Sequence, residues 1–250
     1  MLSLPAEVRN RVYYFTLGGN TLYLYLSRTD DKIANVLICS AETPDAETAN
    51  LIQHSETGTE IDDCWARHEF CNPHSEDATP TYSLPLLQTC SQVHNEAALV
   101  PFRENTFTFG SKLAFATFLK QLMPTQQRAI VSITLLDFDN ASWLYRGTTT
   151  LLAAKALKGL RYLRAFVGVD GDITSAEFLS RSLITRLDSF QTPSLLSPTI
   201  CIYHAAKRLG GTYIQTPACT DPDRFDEIAK RVEQSLLISP MMAEIPEGKT

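Results

Sequence analysis

Residues 105–138 read NTFTFGSKLAFATFLKQLMPTQQRAIVSITLLDF, and this stretch decides the type of fold. NTFTF alternates polar and apolar side chains as a short strand does, with Phe107 and Phe109 on one side. Ser111 is a good helix N-cap, and apolar residues then recur at helical spacing until Pro124, where we expect the helix to end. The last nine residues are rich in β-branched and apolar side chains. The stretch therefore predicts a strand, a helix and a second strand.

The same alternation of strands and helices continues towards the C-terminus. We predict helices over 149–159, 175–190 and Asp221–Leu237, and strands over 164–169 and the TICIY segment at 199–203. Residues 157–169 have the leucine spacing of a single leucine-rich repeat, and one unit does not establish a repeat. Residues 239–250 are predicted to form a loose tail.

Two further helices and a hairpin precede this region. Residues 2–17, LSLPAEVRNRVYYFTL, predict an amphipathic helix that Gly18 and Gly19 end. TLYLYLS and KIANVLICS then alternate as two strands that can pair as a hairpin. Residues 83–102 predict a second helix, on which five residues form a buried face: Leu86, Cys90, Val93, Ala97 and Val100.

Charge is concentrated in one segment. The chain has 250 residues and a net charge of −6. Residues 40–82 contain ten acids and one base, so this segment carries −9 and the rest of the chain +3. Because these residues also lack periodicity, we predict an acidic, mobile insertion in a single domain over 1–238. The overall charge argues against nucleic acid as the main partner.

The sequence also bears on location. No apolar run reaches the length needed to span a membrane, and the N-terminus lacks the pattern of a secretory signal. The six scattered cysteines are then most simply reduced thiols. We therefore predict an intracellular protein, cytoplasmic or nuclear, that acts away from membranes.

One candidate site is the first helix. Its apolar stripe could pack on the helix at 83–102 as ordinary core, or it could dock a protein partner. The docking surface would comprise Leu4, Pro5, Glu7, Val8 and Val12.

Two candidate sites involve metals. The spacing C-x3-H-x2-C-x2-H offers two thiolates and two imidazoles, which are zinc ligands: Cys64, His68, Cys71 and His74. These intervals also match helical spacing, and on one regular helix the four side chains would form a stripe that cannot surround an ion. A zinc site therefore requires the helix to break near Asn72, and a solvated insertion is the simpler interpretation. Asp137 and Asp139 could share Mg²⁺ at the end of a strand, as in a magnesium-dependent enzyme, or they could form a polar turn.

Catalytic motifs are absent from the sequence, which contains no G-x-S-x-G, H-E-x-x-H, P-loop or G-x-G-x-x-G pattern. Cys90 and His94 lie four residues apart on a predicted helix, but a thiol on its apolar face is expected to be inert packing. Glu96 and Gln92 are expected to hold a neighbouring element through hydrogen bonds. The sequence therefore favours a non-enzymatic protein without a cofactor, unless zinc binds.

Three motifs occur in order: LPAEVRNRVYYFTL, LLQTCSQVHNEA and NTFTF. Together they resemble a large fungal family of uncharacterised proteins related to the family called two-EXR. Its first helix resembles that of F-box proteins, whose modules also open with LPxE and an amphipathic helix. That resemblance implies docking to a Skp1-type adaptor and a role as a substrate receptor. A role as an accessory protein of a fungal pathway or gene cluster is a further alternative.

We therefore expect an α+β fold. It would consist of an F-box-like N-terminal helix and hairpin, followed by alternating strands and helices in a single mixed domain. The expected function is that of a protein–protein interaction module.

Overall fold

A six-stranded sheet organises the part of the chain that the structure describes. The computed structural model describes residues 3–26, 33–38, 84–136, 154–169, 176–204, 207–209, 212–214 and 222–237. The strands are β1 (Thr21–Leu26), β2 (Ile33–Ile38), β3 (Thr106–Phe109), β4 (Ser132–Leu135), β5 (Tyr162–Val169), β6 (Ser197–His204), β7 (Lys207–Leu209) and β8 (Thr212–Ile214). The helices are α1 (Ala6–Leu17), α2 (Ser91–Ala97), α3 (Val100–Arg103), α4 (Lys112–Gln121), α5 (Pro124–Ala129), α6 (Ala176–Leu187) and α7 (Pro222–Leu237). Two 3₁₀ segments cover Leu84–Gln88 and Asp188–Phe190.

The parallel strands of the sheet follow one another in chain order. The order across the sheet is β2-β1-β3-β4-β5-β6. Strand β2 is antiparallel to β1, and the other four neighbouring pairs are parallel. Strands β7 and β8 form a separate antiparallel pair. Because each parallel strand is added beyond the one before it, right-handed crossovers place the connecting helices on one face of the sheet.

The core lies between that face and three helices. Alternate residues of the strands, such as Phe107, Ile133 and Leu163, belong to one buried cluster with side chains of α4, α6 and α7. Helix α4 begins as its sequence predicts, because the Ser111 hydroxyl accepts a hydrogen bond from the backbone N–H of Ala114 (3.2 Å). Its phenylalanines then pack on the rings of β3.

The opposite face of the sheet carries hydroxyl side chains on β3 and β4. In register across β3 and β4 lie Thr106 beside Ser132 and Thr108 beside Thr134, and all four are buried. Thr106 Oγ1 donates to Ser132 Oγ (3.0 Å). The hydroxyls of Thr108 and Thr134 have no hydrogen-bond partner among the described residues. The alternation in NTFTF and VSITL thus separates an apolar core face from a row of hydroxyls.

The prediction of a mixed α+β fold is confirmed, whereas some of its details differ. The predicted helix over 83–102 is a 3₁₀ segment followed by α2 and α3. It is interrupted at Cys90, whose backbone is extended (φ −164°, ψ 163°). Helix α4 ends at Gln121, before Pro124 as predicted, but Pro124 also opens α5, which was not predicted, because proline suits the first helical turn.

The N-terminal part has the predicted helix and hairpin. Helix α1 is followed directly by β1 and β2, whereas an F-box module continues with two more helices. The insertion at 40–82 and the tail at 239–250 lie outside the described residues. Of the helices described, none combines the length and the apolar character needed to cross a membrane.

Candidate functional site: the first helix and its anchor

Helix α1 uses one row of side chains to attach to the rest of the molecule. Arg9, Tyr13 and Leu17 are spaced four residues apart and therefore share one side of the helix. Tyr13 and Leu17 are completely buried and form a small apolar cluster with Val93 and Ala97 of α2. This cluster is separate from the main core beneath the sheet.

Polar contacts complete this attachment around the carboxylate of Glu96. Arg9 Nε donates to Glu96 Oε2 and Arg9 Nη2 to Oε1, both at 2.8 Å. The Tyr13 hydroxyl donates to Oε2 and Gln92 Nε2 to Oε1, both at 2.9 Å. The two-point geometry is the one that a guanidinium and a carboxylate form most readily. We call these four residues, Arg9, Tyr13, Gln92 and Glu96, the α1 anchor.

The contacts within the α1 anchor shift the pKa values of its members. Hydrogen bonds from Arg9, then from Gln92, lower the pKa of Glu96 from 4.5 to about 2. The same hydrogen bond to Glu96 raises the pKa of Arg9. Burial, followed by its hydrogen bond to the carboxylate, raises the pKa of Tyr13. Each shift favours the state in which the carboxylate is charged and its three donors keep their protons.

A second attachment holds the C-terminal end of α1. Asn105, which is buried, donates from Nδ2 to the carbonyl oxygens of Leu17 (2.7 Å) and Pro101 (2.8 Å). Its Oδ1 accepts from the backbone N–H of Asn20 (2.8 Å). One side chain therefore joins the end of α1, the residue before β1 and the first turn of α3.

The predicted docking stripe lies on the other side of the helix. Leu4, Val8 and Phe15 are 38%, 42% and 77% exposed. Pro5 and Glu7 are also exposed, and Val12 is half-buried. The interpretation of this stripe as core packed on residues 83–102 is therefore wrong for these three apolar residues. The helix buries the row that contains Tyr13 instead.

The residues of the anchor sit within the sequence motifs, yet their role was only partly predicted. The expectation that Glu96 and Gln92 hold a loop or a neighbouring helix through hydrogen bonds is confirmed for Glu96, which binds α1, whereas Gln92 bonds to Glu96 within α2. The roles of Arg9, Tyr13 and Asn105 were missed. The sequence contained a sign of the roles of Arg9 and Tyr13, since an arginine and a tyrosine four residues apart on one helix can both hydrogen-bond to a single carboxylate.

The two predicted metal sites fall in segments that the structure does not describe. The residues concerned are Cys64, His68, Cys71, His74, Asp137 and Asp139. The zinc and magnesium sites stay predictions, which the metal content of the purified protein would test. Within the described ranges, no three His, Cys, Asp or Glu side chains assemble as a metal site. His94 Nδ1 lies 3.3 Å from the carbonyl oxygen of Leu87, and Cys90 is a half-buried free thiol.

Comparison with known proteins gives one result. Neither a curated protein nor a solved structure matches the chain. Residues 1–162 match the family model described as a domain of unknown function, DUF7730. All three sequence motifs, α1, the α1 anchor and Asn105 fall within this range. The chain therefore belongs to the DUF7730 family.

Proposed function

We propose that this protein is a non-enzymatic protein-interaction module and that α1 is the helix that docks the partner. The observation that supports this proposal is the exposed apolar surface formed by Leu4, Val8 and Phe15, which we call the α1 outer face. Groups of exposed apolar side chains on one surface are typical of sites that bind other proteins. Helices commonly enter an apolar groove through anchors at this spacing.

The anchor explains how α1 can serve this purpose. A docking helix must keep its shape while its apolar side faces water. Arg9, Tyr13 and Glu96 supply that support from the opposite side of the helix, and Asn105 fixes its C-terminal end. A surface held in its binding conformation loses less conformational entropy on association. The charged contacts thus hold α1 in place, so its outer face can bind a partner with little loss of conformational entropy.

We propose a Skp1-type adaptor as the partner. This proposal is supported by the LPxE motif that opens α1 and by the exposure of the apolar residues that follow it. Glu7 and Arg11 are exposed beside the outer face and can orient a partner through charge. Because α1 is followed by β1 rather than by two more helices, this helix must supply most of the interface.

The test compares binding by the intact chain with binding by two variants. Isothermal titration of a purified fungal Skp1-type adaptor gives the dissociation constant. The variant Val8→Asp/Phe15→Asp places two charges in the outer face. The matched control, Leu113→Asp, places a charge at a leucine that is 53% exposed on α4. All three positions are exposed, so circular dichroism and the unfolding midpoint should stay close to those of the parent chain.

We expect the double variant to bind at least tenfold more weakly and the control to bind normally. Burial of a Val or Phe side chain contributes roughly 1.5–3 kcal/mol, and about 1.4 kcal/mol changes a binding constant tenfold. If the intact chain does not bind the adaptor, the choice of partner is wrong. Equal binding by the parent and the double variant would show that α1 is not the docking helix.

A further inference from the structure

A second surface, which shares no residue with the outer face of α1, is a cleft at the amino ends of three parallel strands. Its volume is about 870 Å³, and it lies where β3, β4 and β5 begin. The first residues of these strands, Thr106, Ser132 and Tyr162, stand side by side in register and line it. Its volume is within the range of small-molecule sites, roughly 300–1,000 Å³.

The charge of the cleft is opposite to that of the chain. The side chains that line it include one acid, Glu104, and four arginines: Arg103, Arg128, Arg161 and Arg164. The lining therefore carries a formal charge of +3, whereas the whole chain carries −6. A concavity lined by several guanidinium groups favours an anionic ligand.

The fold, rather than a sequence motif, gathers these arginines. Arg103 ends α3, Arg128 belongs to α5, and the other two lie immediately before β5 and within it. Gly159 permits the close approach, since a Cβ atom there would lie 2.2 Å from the carbonyl oxygen of Arg128. The backbone N–H of Arg161 donates to the carbonyl oxygen of Val131 (2.8 Å), which fixes the start of β5 beside β4.

Several donor groups at this cleft are available to a ligand. Among the described residues, Arg103 and Arg161 take part in no ion pair. Arg128 donates from Nε to the carbonyl oxygen of Pro124 (3.0 Å), so its two terminal nitrogens can still donate to a ligand. Ser132 Oγ accepts from Thr106, so its own hydrogen can point to a ligand. Guanidinium groups bind phosphate oxygens through two parallel hydrogen bonds.

We propose that this cleft binds a small anion that carries two or more phosphate groups. A ligand with a single negative charge would neutralise only part of the excess charge, whereas adjacent phosphates can engage several arginines at once. The cleft volume of about 870 Å³ also suits a small ligand better than a long nucleic acid strand. The cleft shares no residue with the α1 outer face, so its test is separate from the test of docking.

Tripolyphosphate is the probe for this proposal. Isothermal titration at matched ionic strength compares it with orthophosphate, with adenosine triphosphate and with a single-stranded oligonucleotide. The main variant is Arg103→Gln/Arg161→Gln, and Arg128→Gln provides a second variant on another element. The matched control is Arg181→Gln, an exposed arginine of α6 that does not line the cleft.

We expect tripolyphosphate to bind at least tenfold more tightly than orthophosphate. Each cleft variant should weaken this binding at least tenfold, the control should change it less than twofold, and added salt should weaken it. Comparable binding of adenosine triphosphate would identify the phosphate chain as the recognised group. Absence of tripolyphosphate binding, unchanged binding by both folded cleft variants, or tighter binding of the oligonucleotide would overturn the proposal.

Discussion

The substitution Asn105→Ala tests whether one buried side chain holds the N-terminal helix to the sheet. It removes two hydrogen bonds donated to the carbonyl oxygens of Leu17 and Pro101, and two accepted from the backbone N–H and the side-chain Nδ2 of Asn20. A buried polar group left unpaired costs about 1–3 kcal/mol. Because the contacts of Asn20 are only partly buried, water can replace some of the loss. We expect the free energy of unfolding to fall by roughly 3–5 kcal/mol.

Urea unfolding followed by circular dichroism measures this change. The matched control is Asn95→Ala, at an exposed position of α2, where a change of less than about 0.5 kcal/mol is expected. Asn105→Asp keeps an acceptor for Asn20 but loses both donors and places a carboxylate beside two carbonyl oxygens. It should destabilise the protein at least as much as alanine does. A loss below about 1 kcal/mol for Asn105→Ala would refute the reasoning.

Two further predictions concern the anchor and the cleft. Since the pKa of Glu96 falls from 4.5 to about 2 on folding, the stabilisation that it supplies is present above pH 4.5 and is lost as the pH falls towards 2. Glu96→Gln should therefore remove part of the acid dependence of the unfolding midpoint, and an unchanged pH profile would contradict this. Gly159→Ala should destabilise the protein by roughly 1–3 kcal/mol in thermal unfolding, because the added Cβ meets backbone rather than a flexible side chain. A stability equal to that of the parent would show that the chain can shift there.

Local sequence patterns predicted most elements of the fold because those elements depend on spacing within a short segment. The alternation in NTFTF, the cap at Ser111 and the apolar spacing in α4 each specify local structure without reference to the rest of the chain. The same patterns missed the break at Cys90. The conformation of an extended residue between two short helical segments depends on its surroundings, and no periodic pattern in the sequence marks its position.

The candidate sites were predicted less completely. The sequence identified Leu4, Val8 and Val12 as a stripe but could not show whether another helix covers it. Two rows of α1 carry apolar residues, and Glu96, which lies far along the chain, decides between them by pairing with Arg9 and Tyr13. A tyrosine with a charged hydrogen-bond partner can be buried at low cost, and so that row faces inwards.

The sequence alone was enough to predict most of the helices and strands and the mixed α+β character of the protein, since periodicity and capping act over a few residues. Only the tertiary structure decided the order of the strands, the exposed side of α1 and the gathering of arginines at one end of the sheet. These features arise from contacts between segments that are distant in the chain. Strand register brings Thr106, Ser132 and Tyr162 into one line, and that alignment has no counterpart in local sequence.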